Sequence, residues 1–200
     1  MIQFVLSFGS WFVFFMIVEK MGERPLAVSN IIRSLYIFLM IPGWALGSVA
    51  STLVSGALGE GNPDRVMPII VKVAKFSFLS LLSIVLIASL FPRYAIAVYT
   101  NNPELLEATV PSYYIILGAL ALFSVMSIFF SGVLGTANTK TTLLIEAVTL
   151  SAYLGYTWLI AVHLKLEIKW VWMAEYVYFI LIGILSYWYL KKGDWREKVV

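Results

Sequence analysis

Two glutamates lie inside apolar stretches of this 200-residue chain and are its first candidates for chemistry. Glu146 and Glu175 each fall about two turns into a predicted helix. Ionisable side chains in apolar helices are costly to desolvate, so they tend to mark sites that bind ions or substrates. Both glutamates are also near enough to a helix end to reach its polar boundary, and this purely structural alternative stays open.

A second polar group stands where the first two predicted helices meet. Glu19 ends the first helix, and Arg33 falls about two turns into the second. Asn30 precedes Arg33 by three residues, which places both side chains on one helix face. Glu19 and Arg33 occupy neighbouring helix ends, and we predict that they pair at the mouth of a cavity. The hypothesis fails if alanine at either position leaves activity and stability unchanged.

Several aromatic residues could contact an organic ligand, although core packing is the commoner role for such residues. The candidates for such a contact are Phe12, Phe15, Tyr36 and Tyr113. The seven tryptophans lie mostly near predicted helix ends, as expected of an interfacial belt. The predicted cavity set is therefore Glu19, Asn30, Arg33, Tyr36, Glu146 and Glu175.

Other reactive chemistry is poorly represented. The chain has no cysteine and one histidine, so thiol catalysis and a cysteine- or histidine-rich metal site are excluded. The sequence shows no nucleophile–base constellation, and the glycines at 59 and 61 lack the lysine of a phosphate-binding loop. A net charge of +3 is too small and too scattered to indicate nucleic acid. We predict a protein that is not an enzyme and has no metal site or cofactor.

Pro42 lies in the middle of the second predicted helix and is followed by Gly43 and Gly47. Proline removes a backbone donor and kinks a helix, whereas small residues four apart allow two helices to approach closely. Two interpretations follow. One is a packing seam, which we favour, and the other is a hinge in a moving helix.

The composition indicates the solvent that surrounds these helices. Hydrophobic residues make up 61% of the chain, charged residues make up 12%, and the mean hydropathy is +0.91. Soluble domains are about 45–50% apolar and about 25% charged. One domain core cannot bury this much apolar surface, so we predict an integral membrane protein with the lipid bilayer as its first partner.

The apolar stretches predict six membrane-spanning helices in an all-α, polytopic fold. Their period is helical, and they are longer than the strands of a membrane β-barrel. The helices are placed near residues 3–19, 26–58, 67–91, 106–134, 141–163 and 168–190. Residues 1–192 then form one transmembrane lobe, and residues 193–200 form a charged, solvated cytoplasmic tail. The first helix starts almost at Met1, which suggests that the chain is part of something longer.

The basic residues give an orientation. Alternating the loops of six spans places eight lysines and arginines on one side and six on the other. The positive-inside rule then puts both termini in the cytoplasm, with the protein in the plasma (inner) membrane.

Three segments resemble the second half of multidrug and toxic compound extrusion (MATE) transporters. The first segment is residues 26–36, followed by Ile41 and Pro42. Residues 51–63 resemble the loop after the family's eighth helix, and residues 132–139 resemble the end of the tenth helix. The six predicted spans agree in spacing, so the resemblance covers essentially the whole chain.

The resemblance implies a fold and a function. MATE proteins have twelve helices in two pseudo-symmetric lobes and export organic cations and xenobiotics in exchange for sodium ions or protons. This chain would be the C-terminal six-helix lobe, which needs a separate or missing N-terminal lobe, or a second copy, to enclose a cavity. Ser7 and Ser124 stand where cation-coupled relatives carry acidic residues, so we expect the coupling ion to bind in the other lobe.

Two other functions stay open. One is a relative of the lipid-linked oligosaccharide flippases, although their strongly cationic cavities contrast with the single Arg33 at depth here. The other is a truncated membrane subunit with no transport of its own, which a detergent-solubilised mass would identify as a monomer without a partner.

Overall fold

Long helices account for nearly all of the described chain. The structure, a computed structural model, describes residues 2–192 and 195–196. In this part the α-helices are α1 (Ile2–Glu19), α2 (Glu23–Gly59), α3 (Val66–Leu90), α4 (Pro92–Ala97), α5 (Pro103–Gly135), α6 (Thr139–Trp158), α7 (Ile168–Trp172) and α8 (Ala174–Lys192). A 3₁₀ turn, Pro63–Arg65, precedes α3, and a π-helical turn, Leu159–His163, extends α6. The prediction of an all-α protein is confirmed.

Five of the described helical segments are long and apolar enough to cross a membrane. They are Glu23–Gly59, Pro63–Leu90, Pro103–Gly135, Thr139–His163 and Ile168–Lys192, and a shorter apolar helix, Val5–Glu19, precedes them. Large apolar side chains point outward from these helices, among them Phe38, Leu79 and Ile87. Such a surface suits hydrocarbon and would be unfavourable in water.

Capping residues explain where two of the long helices begin. The side chain of Asn102 accepts hydrogen bonds from the backbone N–H groups of Glu104 and Leu105, at 2.9 and 3.3 Å, and Pro103 opens α5. Asn138 accepts from the N–H of Thr141 at 3.2 Å and caps α6 in the same way. These side chains satisfy backbone donors that a helix start leaves without partners.

Two local features differ from the predicted helices. Helix α4 was not predicted, because six residues opened by Pro92 are too short to give a hydrophobic period. The predicted helix at 168–190 is interrupted at Met173, where the N–H of Met173 bonds to the carbonyl of Trp170 and α7 gives way to α8. Both differences lie at the ends of longer helices, where hydrogen bonds over a few residues decide where one helix stops and the next begins.

The predicted solvated tail falls mostly outside the described residues, but two of its members are described. Trp195 is buried and donates from Nε1 to the carbonyl of Leu190 at 3.0 Å. Arg196 forms an ion pair with the exposed Asp64 at 3.2 Å, at the turn before α3. Trp195 is thus not solvated, because its indole packs against the bundle, and the charged tail otherwise stays a prediction.

Small residues of α2 form a close seam with α5. A Cβ on Gly43 would collide with the ring of Phe123, and one on Gly47 would lie 2.8 Å from Oγ of Ser131. Further along, the hydroxyl of Ser55 donates to the carbonyl of Gly135 at 2.9 Å. Helix α2 continues through Pro42 without a break. These contacts are those of a packing seam, and the hinge stays a prediction.

Alanine at Gly43 is expected to destabilise the protein. The added methyl group must displace Phe123, which is itself buried, at a cost of about 1–3 kcal/mol in unfolding free energy. Gly56 is the matched control, since a Cβ there meets nothing within 4 Å, so alanine should stabilise α2 by about 0.5–1 kcal/mol. Unfolding in mixed detergent micelles measures both, and equal signs for the two variants would contradict the seam.

Candidate functional site

The carboxyl group of Glu175 lies where three helices meet. Glu175 stands at the start of α8 and is 4% exposed. The hydroxyl of Tyr36, on α2, donates to Oε2 at 3.0 Å, and the hydroxyl of Tyr153, on α6, donates to Oε1 at 3.3 Å. The alternative that this carboxylate reaches a polar boundary does not describe this structure, because helices α2 and α6 both contact the carboxyl group.

Aromatic rings enclose the hydroxyl groups around Glu175. Trp172 is 1% exposed and donates from Nε1 to Oγ of Ser29 at 3.1 Å. The ring of Phe14, on α1, lies 5.2 Å from the ring of Trp172 and 5.8 Å from that of Tyr153. Trp172 therefore packs inside the bundle, and the interfacial belt of tryptophans stays a prediction. The Trp172 indole forms a wall of the buried carboxyl site and anchors α7 to α2.

Glu146 has a similar environment on the neighbouring helix. It is 1% exposed, and its Oε1 accepts from the hydroxyl of Ser7 at 2.7 Å and from that of Tyr178 at 3.3 Å. Ser7 belongs to α1 and Tyr178 to α8, so Glu146 ties both helices to α6. As at Glu175, the structure buries a side chain for which a position at a helix boundary was the alternative.

The two glutamates are part of one reciprocal arrangement between α6 and α8. The glutamate of α6 accepts from a tyrosine of α8, and the glutamate of α8 accepts from a tyrosine of α6. The centres of the Tyr153 and Tyr178 rings lie 6.1 Å apart, and the ring planes are nearly perpendicular. We call these four residues, Glu146, Tyr153, Glu175 and Tyr178, the Glu–Tyr layer. Each carboxyl also takes one hydroxyl from α1 or α2, so the layer joins four helices.

Helical spacing explains how the sequence builds this layer. Tyr153 follows Glu146 by seven residues, which is about two turns, and Tyr178 follows Glu175 by three. Both pairs therefore lie on one face of their own helix. This spacing was the available signal for Tyr153 and Tyr178, which sequence analysis did not select. Tyr36 was selected as a possible ligand contact, and the structure brings it to Glu175.

The predicted pair of Glu19 and Arg33 does not form. Glu19 is exposed, and among residues 2–192 no ion pair joins it to Arg33. The guanidinium of Arg33 instead lies 4.9 Å from the ring centre of Phe15, a cation–π contact. Asn30 is half-buried, and its backbone carbonyl accepts from the hydroxyl of Ser34 at 3.0 Å. The first turns of α2 are thus fixed by an aromatic ring of α1.

This difference predicts which partner of Arg33 matters for stability. Leucine at Phe15 should lower the unfolding free energy by about 0.5–1 kcal/mol through the lost cation–π contact. Glutamine at the exposed Glu19 should change it by less than about 0.5 kcal/mol, as for other exposed charges. Unfolding of both variants in the same detergent tests the assignment. If Glu19→Gln lowered the unfolding free energy more than Phe15→Leu, the result would favour the Glu19–Arg33 ion pair over the cation–π contact.

The layer is not a ready-made metal centre. In the described part of the chain, no three His, Cys, Asp or Glu side chains are grouped to hold a metal ion. Around Glu175 the polar partners are hydroxyl groups that point their hydrogens at the carboxyl oxygens. Such an arrangement holds a carboxyl group in a fixed position inside an apolar bundle. It can stabilise the charged form through two hydrogen bonds or exchange a proton.

Comparison with known proteins gives consistent matches. The MatE family profile matches residues 1–159. A Thermotoga maritima protein, described as a probable multidrug resistance protein NorM, is 24% identical over 162 residues, which are 80% of this chain and 35% of that protein. The fold is also similar to the solved structure of a MOP superfamily transporter from Pyrococcus furiosus, with a TM-score of 0.78 between the two chains at 14% identity. The reverse polarity of that transporter's binding pocket suggests a different function for it. That match covers 96% of this chain and 43% of the other, so this chain spans less than half the length of either protein.

Proposed function

This chain belongs to the MatE family of membrane transporters, and from that premise we propose that it forms the C-terminal lobe of a multidrug exporter. In this proposal the complete transporter expels organic cations and other xenobiotics in exchange for sodium ions or protons. The protein is an integral membrane protein; we place it in the inner membrane, with both ends of the chain on the cytoplasmic side.

The lengths of the matched proteins support a partner lobe. This chain covers 35% of the NorM relative and 43% of the Pyrococcus furiosus transporter. A cavity that opens alternately to the two sides of a membrane requires two bodies that move against each other. We propose that a second lobe, either an N-terminal lobe or a second copy, supplies the other wall.

The observation that carries the proposal is the burial of two carboxyl groups between spanning helices. Glu146 and Glu175 are 1% and 4% exposed between apolar helices, where ionisable groups are costly to bury and are typical of ion pathways. Glu146 also lies beside one of the family's acidic positions. Ser7 stands where cation-coupled relatives carry an acidic residue, and its hydroxyl donates to the carboxyl group of Glu146.

A cell-based efflux assay tests the proposed function. Bacteria that lack their main efflux pumps would express the native transporter that contains this chain and be loaded with tetraphenylphosphonium or norfloxacin. We expect lower accumulation than in cells with an empty vector, and we expect the difference to vanish when ionophores collapse the proton and sodium gradients. Equal accumulation in both strains, with the transporter shown to be in the membrane, would contradict the proposal.

A further inference from the structure

We propose that Arg33 is a carboxylate-binding subsite, which takes the acidic group of zwitterionic, aromatic substrates. The inference rests on the proposed function, since it names a class of substrate that the exporter would carry. Arg33 lies ten residues after Glu23, where α2 begins, and is half-buried. Its guanidinium lies 4.9 Å from the ring centre of Phe15, on α1. In the described part of the chain, the structure gives this guanidinium no salt bridge and no hydrogen bond.

The contact with Phe15 leaves the hydrogen-bonding capacity of Arg33 unused. A guanidinium stays charged at physiological pH and carries several N–H donors in one plane. The face of an aromatic ring attracts the positive charge but accepts none of these donors in the way an oxygen does. Carboxylates and phosphates match two parallel N–H groups of the guanidinium plane. Arg33 therefore offers a two-point site for an oxyanion.

The exposed face of α2 that begins beside Arg33 carries polar groups along its length. At about 100° per residue, four polar side chains fall within about 40° of one another around the helix. They are Asn30, Ser34, Ser48 and Thr52, and each is half-buried or exposed. The exposed side of α3 instead carries large apolar side chains such as Phe76, Leu79 and Ile87. Charged residues of spanning helices face cavities or partners rather than lipid, so we place Arg33 on the cavity side of the lobe.

Aromatic rings of α1 favour an aromatic acid over an inorganic anion. The ring of Trp11 lies 6.1 Å from that of Phe15, and the two residues are four apart, on one face of α1. Phe12, next to Trp11 in the chain, is 69% exposed. A carboxylate attached to an aromatic ring would take the N–H groups of Arg33 while its ring packs on this surface. A zwitterion also carries the positive group that the proposed exporter recognises.

Two ligands that differ only in their carboxyl group test the inference. Norfloxacin is a zwitterion at neutral pH, whereas its methyl ester keeps the rings and the positive group but has no carboxylate. The purified native transporter would be titrated with each ligand in detergent. We expect the wild type to bind the acid about 10- to 100-fold more tightly than the ester, as hydrogen bonds to charged groups allow. Arg33→Gln should lose this preference, because the binding of the acid alone becomes weaker.

Arg24→Gln is the matched control for the loss of charge. Arg24 is exposed and lies on the same helix, nine residues before Arg33, so the substitution removes one positive charge without touching the subsite. It should keep the preference of the wild type for the acid. Arg33→Lys serves if Arg33→Gln does not fold. Lysine keeps the charge but not the paired N–H groups, so the preference should be intermediate.

Tetraphenylphosphonium, which has no acidic group, separates this inference from the proposed function. Equal affinities of the wild type for the acid and the ester would overturn the inference. So would an unchanged preference in Arg33→Gln, the same loss in Arg24→Gln, or an equal loss of tetraphenylphosphonium binding in Arg33→Gln, and all of these leave the exporter function standing. A wild type that neither binds nor transports norfloxacin or tetraphenylphosphonium would instead contradict the proposed function.

Discussion

Alanine at Trp172 is expected to lower the free energy of unfolding by about 3–5 kcal/mol, as for other large aromatic side chains removed from a core. Trp172 is 1% exposed and contacts the rings of Phe14 and Tyr36. Its loss also leaves the buried hydroxyl of Ser29 without its donor. The variant removes the wall that joins α1, α2 and α7 beside Glu175, so transport should fall with stability.

The exposed Trp44, also on a spanning helix, is the matched control for this prediction. Trp44→Ala should change the unfolding free energy by less than about 0.5 kcal/mol, as is usual for surface substitutions. Both variants can be unfolded in the same mixed micelles and followed by circular dichroism. Similar small losses for Trp172→Ala and Trp44→Ala would show that Trp172 does not hold the site together.

Removing both hydroxyl donors of Glu175 should lower the free energy of unfolding by more than the sum of the losses from the two single variants. Hydrogen bonds to charged groups are worth about 1.5–3 kcal/mol each, and a buried carboxyl without any donor pays its full desolvation cost. In the variant Tyr36→Phe, Tyr153→Phe we therefore expect a coupling energy of about 0.5–3 kcal/mol between the two sites. Gradient-driven transport should be lost, because the carboxylate can no longer be held in the bundle.

Tyr113→Phe is the control for that double variant. Tyr113 is buried, and its hydroxyl bonds to the backbone carbonyl of Ala88 at 3.0 Å, away from any carboxyl group. Its loss should cost about 1 kcal/mol of unfolding free energy and leave transport intact. A double-mutant cycle measured by unfolding, with flux recorded on the same proteins, gives both readouts. Strictly additive single losses and retained transport would contradict the role of the two tyrosines.

The fold was largely predictable because hydrophobic length and period are local properties of the chain. The stretches near 26–58 and 106–134 are long enough to cross hydrocarbon as helices, and the structure has α2 and α5 there. The short helix α4 and the break at Met173 depend on hydrogen bonds over a few residues, which leave no period in the sequence. Whether residues 193–200 are a cytoplasmic tail stays a prediction.

The site was predictable only in part. Glu146 and Glu175 stood out because charge is rare in apolar helices, but their partners come from far along the chain. The bond from Tyr36 to Glu175 and the bond from Ser7 to Glu146 each span 139 residues. Contacts of that range follow from helix packing, which no single stretch of sequence specifies. The predicted pair of Glu19 and Arg33 was wrong because Phe15, one turn earlier on α1, offers its ring to the guanidinium.

The most direct test of the account is gradient-driven flux through the native transporter in sealed liposomes. Ethidium outside the vesicles would report uptake by its fluorescence on encapsulated DNA after the interior is made acidic. We predict uptake above that of protein-free vesicles, abolished by nigericin and by Glu175→Gln, and unaffected by Glu107→Gln. Uptake no faster than in protein-free vesicles, under both a proton gradient and a sodium gradient, would contradict the claim that this lobe serves an exporter of organic cations.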